Sequence, residues 1–290
     1  MRIFITGGAG FIGTHLCKKL AQFHTVTVYD NFSNSEKKNF PILDNVTLIV
    51  GDILDNKKLI NFMKNHDLVI HLAAKTDVTD SIINPNNTFE TNVQGTQNVL
   101  DSCKSNNISK IIITSSAAIY QSSNDPINET SISKPSSPYG QSKLNMEKII
   151  IQSKMNYSIL RLFNVYGGGN FNGVIANFRK NIFENSPLII FGNGKAIRDF
   201  IHIDDVIDAI ILSMVSKSGI YNIASGTGTS INDLAKLMIQ LFDKNSKIIF
   251  ESARKGEIVY SVADIVKSQL DLGFKPKISL DVGLKTIEFS

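Results

Sequence analysis

The chain has 290 residues, 42% hydrophobic and 19% charged, with a formal net charge of +4. That is the composition of a globular enzyme with a sizeable core, and the charge is too small to argue for nucleic acid. Two cysteines, Cys17 and Cys103, lack metal-site spacing, and no apolar run reaches membrane-spanning length. Met1 leads straight into a core strand, so a reduced, cytoplasmic protein without a signal peptide is expected.

The first predicted strand, Ile3-Phe4-Ile5, stops abruptly at glycines. Gly7, Gly10 and Gly13 recur at every third position, and an amphipathic pattern with Leu16, Cys17 and Leu20 on one face follows. This reads as strand, tight turn, helix, the arrangement in which backbone N–H groups approach a pyrophosphate. Val26–Tyr29 is a second strand, closed by Asp30, 17 residues after Gly13. A carboxylate there accepts from both hydroxyls of an adenosine ribose and repels a 2′-phosphate, which predicts NAD over NADP. Alone, Asp30-Asn31 would equally suit an ordinary turn.

Further along, Val46–Val50 is a strand ending at Gly51-Asp52, Lys57–Lys64 is helical, and Leu68–His71 is a strand running into Leu72-Ala73-Ala74. Pro85 precedes a long helix over Asn86–Lys104, and Lys110–Thr114 is a strand ending at Ser115-Ser116. A helix over Tyr139–Ser153 and a strand over Tyr157–Leu162 complete the alternation. The pattern predicts a Rossmann-type doubly wound parallel sheet with a smaller C-terminal α/β substrate-binding region. The expected division is 1–165 for a dinucleotide-binding domain and 166–290 for a substrate-binding region interleaved with it. In the second part, short strands at Leu188–Ile190, Ile220–Ile223 and Ile248–Phe250 stand isolated among helices.

Tyr139 and Lys143 are spaced i and i+4, so both side chains share one helix face. Ser116 ends the preceding strand on the same rim of the sheet. A free phenol has a pKa of about 10, and a nearby lysine together with a cationic nicotinamide ring favours the phenolate. Spacing alone leaves a surface Tyr–Lys pair as the other reading. His71, inside an apolar strand, reads as a satisfied core histidine, His202 receives no catalytic role, and no metal is expected.

Thr6–Gly13, Tyr139-x-x-x-Lys143 and the Ser116 strand together resemble the extended short-chain dehydrogenase/reductase family. Within it the chain looks like a nucleotide-sugar 4-epimerase acting on UDP-glucose or UDP-N-acetylglucosamine, over essentially its whole length. The resemblance implies NAD as cofactor, a UDP-linked sugar as substrate, no nucleic-acid or membrane partner, and a homodimer built on the helices near Asn86–Lys104 and Tyr139–Ser153. It implies that Phe11 and Ile12 cover the pyrophosphate, that Asp30, Asn31, Asn34 and Ser35 hold the adenosine ribose, and that Asp52 and Ile53 meet the adenine. Leu72, Ala73 and Ala74 would wall the nicotinamide half, with Asn92 beside the active-site backbone. Ser116, Tyr139 and Lys143 would be catalytic.

Toward the substrate, the resemblance implies Phe163, Asn164 and Val174 near the sugar nucleotide, and Ile189 and Phe191 around a uracil. Arg198 and Arg254 would lie on the diphosphate, where forked guanidinium donors suit the ligand, and Glu257 on the nucleotide ribose. Ser261, four positions after Glu257, matches a gatekeeper facing the sugar C2 substituent. A serine leaves room there for an N-acetyl group, while serine's capping preference makes a helix start the competing reading.

Departures from the family pattern are Gln121 in place of a glycine, the permissive run Gly167–Gly169, and Glu257 in place of an aspartate. Ala117 and Ala118 stand where the related 4,6-dehydratases resemble Asp-Glu, which disfavours dehydration. A nucleotide-sugar 4-ketoreductase or another epimerase of nucleotide sugars is the enzyme alternative. A dinucleotide-binding regulator is the non-enzyme one, and it is expected to lack the tyrosine or the lysine.

Overall fold

A computed structural model describes residues 1–170, 172–242, 245–253 and 258–287. In chain order the first elements are β1 (Arg2–Thr6), α1 (Phe11–Leu20), β2 (Thr25–Asp30), β3 (Val46–Val50), α2 (Asn56–Phe62) and β4 (Leu68–His71). They are followed by α3 (Val78–Ile83), α4 (Pro85–Phe89), a π-helical turn (Glu90–Gln94), α5 (Gly95–Ser105) and β5 (Lys110–Ser116). Next come α6 (Pro138–Gln152), β6 (Asn156–Leu162), β7 (Asn164–Tyr166), α7 (Gly173–Phe183), β8 (Leu188–Phe191) and β9 (Ile197–His202). The chain continues through α8 (Ile203–Ser213), β10 (Gly219–Ile223), β11 (Gly228–Ser230), α9 (Ile231–Leu241) and β12 (Ile248–Glu251). The last described elements are β13 (Tyr260–Ser261), α10 (Val266–Leu272) and α11 (Leu280–Lys285).

Seven strands form one sheet in the order β10-β6-β5-β4-β1-β2-β3. β1 pairs in parallel with β2 and with β4, and parallel ladders continue from β2 to β3 and from β4 to β5. These strands are near-continuous runs of Ile, Val and Phe because helices cover both faces of such a sheet. Phe4, Val69, Ile111 and Ile113 from the strands pack with Leu59, Val99, Leu100 and Ile150 from α2, α5 and α6. The strands that looked isolated are not. β10 is the edge of the seven-stranded sheet, and β8 and β12 pair in parallel with each other. Their partners lie 30 or more residues away, a distance that local pattern does not read.

The chain forms two compact units. The first comprises Met1–Gln121, Ile132–Arg161 and Ala209–Tyr221, and the second Ser122–Ser131, Leu162–Asp208 and Asn222–Ser290. The second unit has its own core, in which Ile175 and Phe178 of α7 pack with Leu188 and Ile190 of β8 and with Leu234 and Met238 of α9. There β11 and β13 both pair with β9, and β7 pairs with β9 as well.

Candidate active site

The turn after β1 is built from glycines for two different reasons. Gly7 has φ +69°, and a Cβ there would lie 2.5 Å from the Ala73 backbone nitrogen. A Cβ on Gly13 would sit 2.5 Å from the Gly8 Cα, so α1 packs directly against the turn. Gly10 differs. Its backbone is ordinary (φ −76°), and the nearest atom to an added Cβ would be the Gly7 oxygen at 3.4 Å. Packing does not require a glycine at that point. The same residue opens α1 with no side-chain cap, and the first turn carries no acidic group. A bare helix start flanked by open space suits an anion.

Asp30 closes β2. Its Oδ2 accepts from the Ala9 amide at 3.0 Å and its Oδ1 from the Phe32 amide at 2.8 Å. Phe32 is left-handed (φ 58°), which turns the chain sharply after the carboxylate. Each oxygen keeps a lone pair for further donors. Asn31 donates to Asp52 Oδ2 at 2.8 Å, while Asp52 Oδ1 accepts from the Leu54 amide at 2.9 Å. Asn34 is exposed and Ser35 half-buried in the loop beyond. The Ile53 side chain packs in the core of the first unit. Leu72, Ala73 and Ala74 leave the end of β4 half-buried. Ala9, Gly10 and Asp30 thus fit a dinucleotide: a pyrophosphate at the helix start and a ribose at the carboxylate.

Tyr139 and Lys143 lie on α6, which Pro138 opens and Ser137 caps by accepting from the Gly140 amide at 3.1 Å. Both side chains are buried, so they are not a surface pair. The Ser116 hydroxyl is the side chain that acts on the Tyr139 phenol to favour its ionised form. Ser116 Oγ also accepts from the Ala118 amide at 3.1 Å. Lys143 Nζ donates to the Thr114 carbonyl at 2.9 Å. Burial drives the Lys143 ammonium down to about 8, with Glu147 opposing. Burial also pushes the Tyr139 phenol up, against the effect of Ser116. The downward shift expected from the lysine is therefore absent from the protein's own groups, because desolvation outweighs them.

Three further residues brace this group, and of these Ser81 alone had no reading in the sequence. Asn92, fully buried in the π-helical turn, accepts from the Lys75 amide at 2.7 Å and donates to the Lys75 carbonyl and to Ser142 Oγ. Ser81 Oγ, on the unforeseen α3, accepts from the Tyr139 amide at 3.2 Å. His71 bridges Thr6 Oγ1 at 2.6 Å and Thr96 Oγ1 at 2.9 Å. Burial, then the Lys143 charge, hold it down at about 3, so it is the neutral core histidine its strand predicted. The expected long helix Asn86–Lys104 is interrupted by the turn that carries Asn92. A turn one residue wider than α leaves no trace in hydrophobic spacing.

In the second unit, Phe163 is buried and Asn164 donates to the Asp199 carbonyl at 2.8 Å. Asn164 and Val174 line a cavity with Arg179 and Phe200. Ile189 and Phe191 share the outer face of β8, since Leu188 and Ile190 take the core face. Arg198 and Ser261 are register partners across β9 and β13. Ser261 is a buried strand residue, and α10 begins at Val266, which corrects the helix-start reading. Arg254 and Glu257 lie outside the described residues.

The residue that organises this unit was missed. Asp199, fully buried, accepts from the Ser225 amide and hydroxyl, the Gly226 amide and the Ala263 amide at 2.7–3.3 Å. Burial pushes its carboxyl up, and these donors oppose the shift. A charged residue between Arg198 and an apolar strand was the available signal. Gln121 occupies extended backbone, its amide donating to the Ile132 carbonyl at 2.9 Å, and needs no glycine.

A glycine turn at an uncapped helix, a carboxylate closing the next strand and a buried tyrosine–lysine pair define a dinucleotide-binding α/β protein equipped for proton transfer. Its sequence places it more closely. The chain belongs to the NAD-dependent epimerase/dehydratase family, whose model matches residues 3–224. It is 33% identical to the UDP-glucose 4-epimerase of Thermotoga maritima solved with UDP-glucose, covering 99% of this chain and 97% of that one with a TM-score of 0.93. The UDP-N-acetylglucosamine 4-epimerase of Methanobrevibacter ruminantium, in complex with UDP-N-acetylmuramic acid, is 32% identical over 98% and 96%, with a TM-score of 0.94. A UDP-N-acetyl-alpha-D-glucosaminuronate decarboxylase of Bacillus cytotoxicus is 31% identical over 98% and 95%.

Proposed function

We propose that the chain is an NAD-dependent nucleotide-sugar 4-epimerase, inverting C4 of a UDP-hexose through a transient 4-keto sugar. The observation that carries this is that Tyr139 and Lys143 are buried together on α6 with Ser116 acting on the Tyr139 phenol, next to two alanines where dehydration would require an acid and a base. Tyr139 takes the proton of the sugar 4-hydroxyl, Ser116 steadies that oxygen, and Tyr139 returns the proton after the sugar presents its other face. Lys143 supplies positive charge behind the phenol. When bound, NAD supplies the hydride acceptor and a cationic ring that counters the effect of burial on Tyr139.

In this reading residues 1–165 carry NAD, with Gly10, Phe11 and Ile12 at the pyrophosphate and Asp30, Asn31, Asn34 and Ser35 at the ribose. Residues 166–290, with Phe163 and Asn164, carry the UDP-sugar: Ile189 and Phe191 at the base, Arg198 and Arg254 at the diphosphate, Glu257 at its ribose. Ser261 leaves room for an N-acetyl group. The fit of the cofactor turn and the UDP-sugars of the related structures support this assignment.

The test is incubation with UDP-glucose, UDP-GlcNAc, their C4 epimers and UDP-N-acetylglucosaminuronate, with sugar analysis and no added reductant. Interconversion at C4 is expected. A stoichiometric demand for NADPH would make the protein a reductase, and release of carbon dioxide from the uronate would make it a decarboxylase.

The reading includes a cytoplasmic homodimer. Buried free thiols at Cys17 and Cys103 suit a reducing compartment, and no described helix is long and apolar enough to cross a membrane. Val99, Leu100, Met146 and Ile150 are consumed by the protomer's own core, leaving Val93 and Leu144 half-buried and Ile82 and Ile83 exposed for a partner copy. Light scattering is expected to give twice the 32.0 kDa chain mass. A concentration-independent monomer overturns the dimer.

A further inference from the structure

One buried charge cluster is not used by the mechanism above. Arg161 of β6 donates from Nε to Glu147 Oε1 at 3.0 Å and from Nη2 to Glu147 Oε2 at 2.7 Å. Its Nη1 donates to the Tyr120 hydroxyl at 2.8 Å, and its guanidinium carbon lies 5.0 Å from the centroid of the Tyr120 ring. The Arg161 and Glu147 side chains are only 5% and 2% exposed. A buried pair of this kind is weak as a source of stability, since desolvation consumes much of its attraction and an apolar pair often serves as well. Its planar fork does something an apolar pair does not: it fixes direction as well as distance.

The three members sit on the elements that carry the acid–base group. Glu147 is one helical turn beyond Lys143 on α6 and two beyond Tyr139. Tyr120 closes the short helical turn, Ala117–Ile119, that follows Ser116 at the end of β5. Arg161 comes from β6, the strand beside β5. A single guanidinium therefore ties the helix bearing phenol and ammonium to the segment bearing the serine hydroxyl.

We propose that Arg161, with Glu147 and Tyr120, is a positioning group that holds the Tyr139–Lys143 face of α6 in register with Ser116. This rests on the reading of Tyr139 as the acid–base residue. Among the described residues, the titratable groups facing Lys143 are Tyr139 and Glu147 on its own helix and His71 at the end of β4, while β5 offers the Thr114 carbonyl. His71 stays neutral across the working range. Glu147 is the anionic neighbour that keeps the proton on Lys143, and its own partner is Arg161.

The experiment compares wild type, Tyr120→Phe, Glu147→Gln and the paired apolar variant Glu147→Leu/Arg161→Met, all with bound NAD. In the pair, NAD content and KM are expected to hold while kcat falls about 100-fold, the scale of a misplacement near 1 Å. In Glu147→Gln, which removes the anion and leaves the Arg161 cation, Lys143 loses its proton at lower pH and the alkaline limb of the kcat profile moves down, whereas the pair, which removes one charge of each sign, shifts it less. Tyr120→Phe is expected to lose kcat less and keep the profile, since the ring stacking survives. A folded pair with wild-type kcat overturns the proposal. If neither Glu147 variant folds, unchanged kcat in Tyr120→Phe overturns it. Failure of the underlying reading looks different: Tyr139→Phe would then retain its rate.

Discussion

The two units hold their candidate functional groups in opposite ways. In the first, Tyr139, Lys143 and Asn92 are buried, and each is tied to backbone or to a neighbouring side chain within a seven-stranded sheet and its helices. In the second, the groups implied for the substrate sit on strands of two to six residues, with Ile189 39% exposed on β8, while the Asp199 carboxylate of β9 ties together the loop at Ser225-Gly226 and the segment after β13. Proton transfer needs geometry fixed to fractions of an ångström, and burial in a rigid frame supplies it. Choice of sugar needs positions that accept change at low cost, and side chains on short strands supply that. In the proposed reading, the acid–base groups are the more deeply tied and the groups for the sugar nucleotide the less so.

The largest effect that bears on this contrast is Tyr139→Phe. It is expected to leave the fold and bound NAD intact while kcat falls ~100- to 10,000-fold. Near-normal turnover in that variant would remove the rigid half of the comparison. Asp199→Ala is next. It leaves several buried donors without an acceptor and should lower stability by about 3 kcal/mol or more in urea unfolding. A loss below ~1 kcal/mol would mean that the second unit does not hang on one residue.

Gly10→Ala sharpens the first unit. The backbone there admits alanine and the added carbon meets nothing closer than 3.4 Å, so thermal stability should hold while NAD affinity drops by about tenfold. Unchanged affinity by calorimetry would show that the open space is not where the cofactor lies. The smallest expected effect, confined to one substrate pair, is that of Ser261→Tyr. It should depress kcat/KM for UDP-GlcNAc and UDP-GalNAc and spare UDP-glucose and UDP-galactose. Equal loss on both pairs, or no acetylated turnover in wild type, removes the gatekeeper role.

How far the sequence could be read follows from the same contrast. Ile3–Ile5 and Ile111–Ile113 are unbroken apolar runs, and Val26–Tyr29 is a β-branched one, because both faces of their sheet are covered, and such runs mark their own ends. Asp30 and Ser116 were legible for that reason. β7, β11 and β13 are two or three residues long, too short for any alternation to register, which is why a helix start at Ser261 competed with its gatekeeper reading. β10 was found as a strand but not as a member of the main sheet, since pairing with β6 is a non-local fact. Asp199 and Glu147 stood in the sequence as ordinary charges. Only the fold shows what they accept from.

The π-helical turn at Glu90–Gln94 has one more implication. A turn with an extra residue puts the helix out of phase with itself, by roughly 100° per residue, so everything before Glu90 faces a direction that a regular helix would not give it. Deleting one residue there would improve the backbone hydrogen bonding and also swing the Asn92 carboxamide off Lys75 and Ser142. The most favourable local repair is the one that dismantles the clamp. The segment therefore acts as a counter of chain length: adding or removing one residue in it would turn Asn92 away from Lys75 and Ser142.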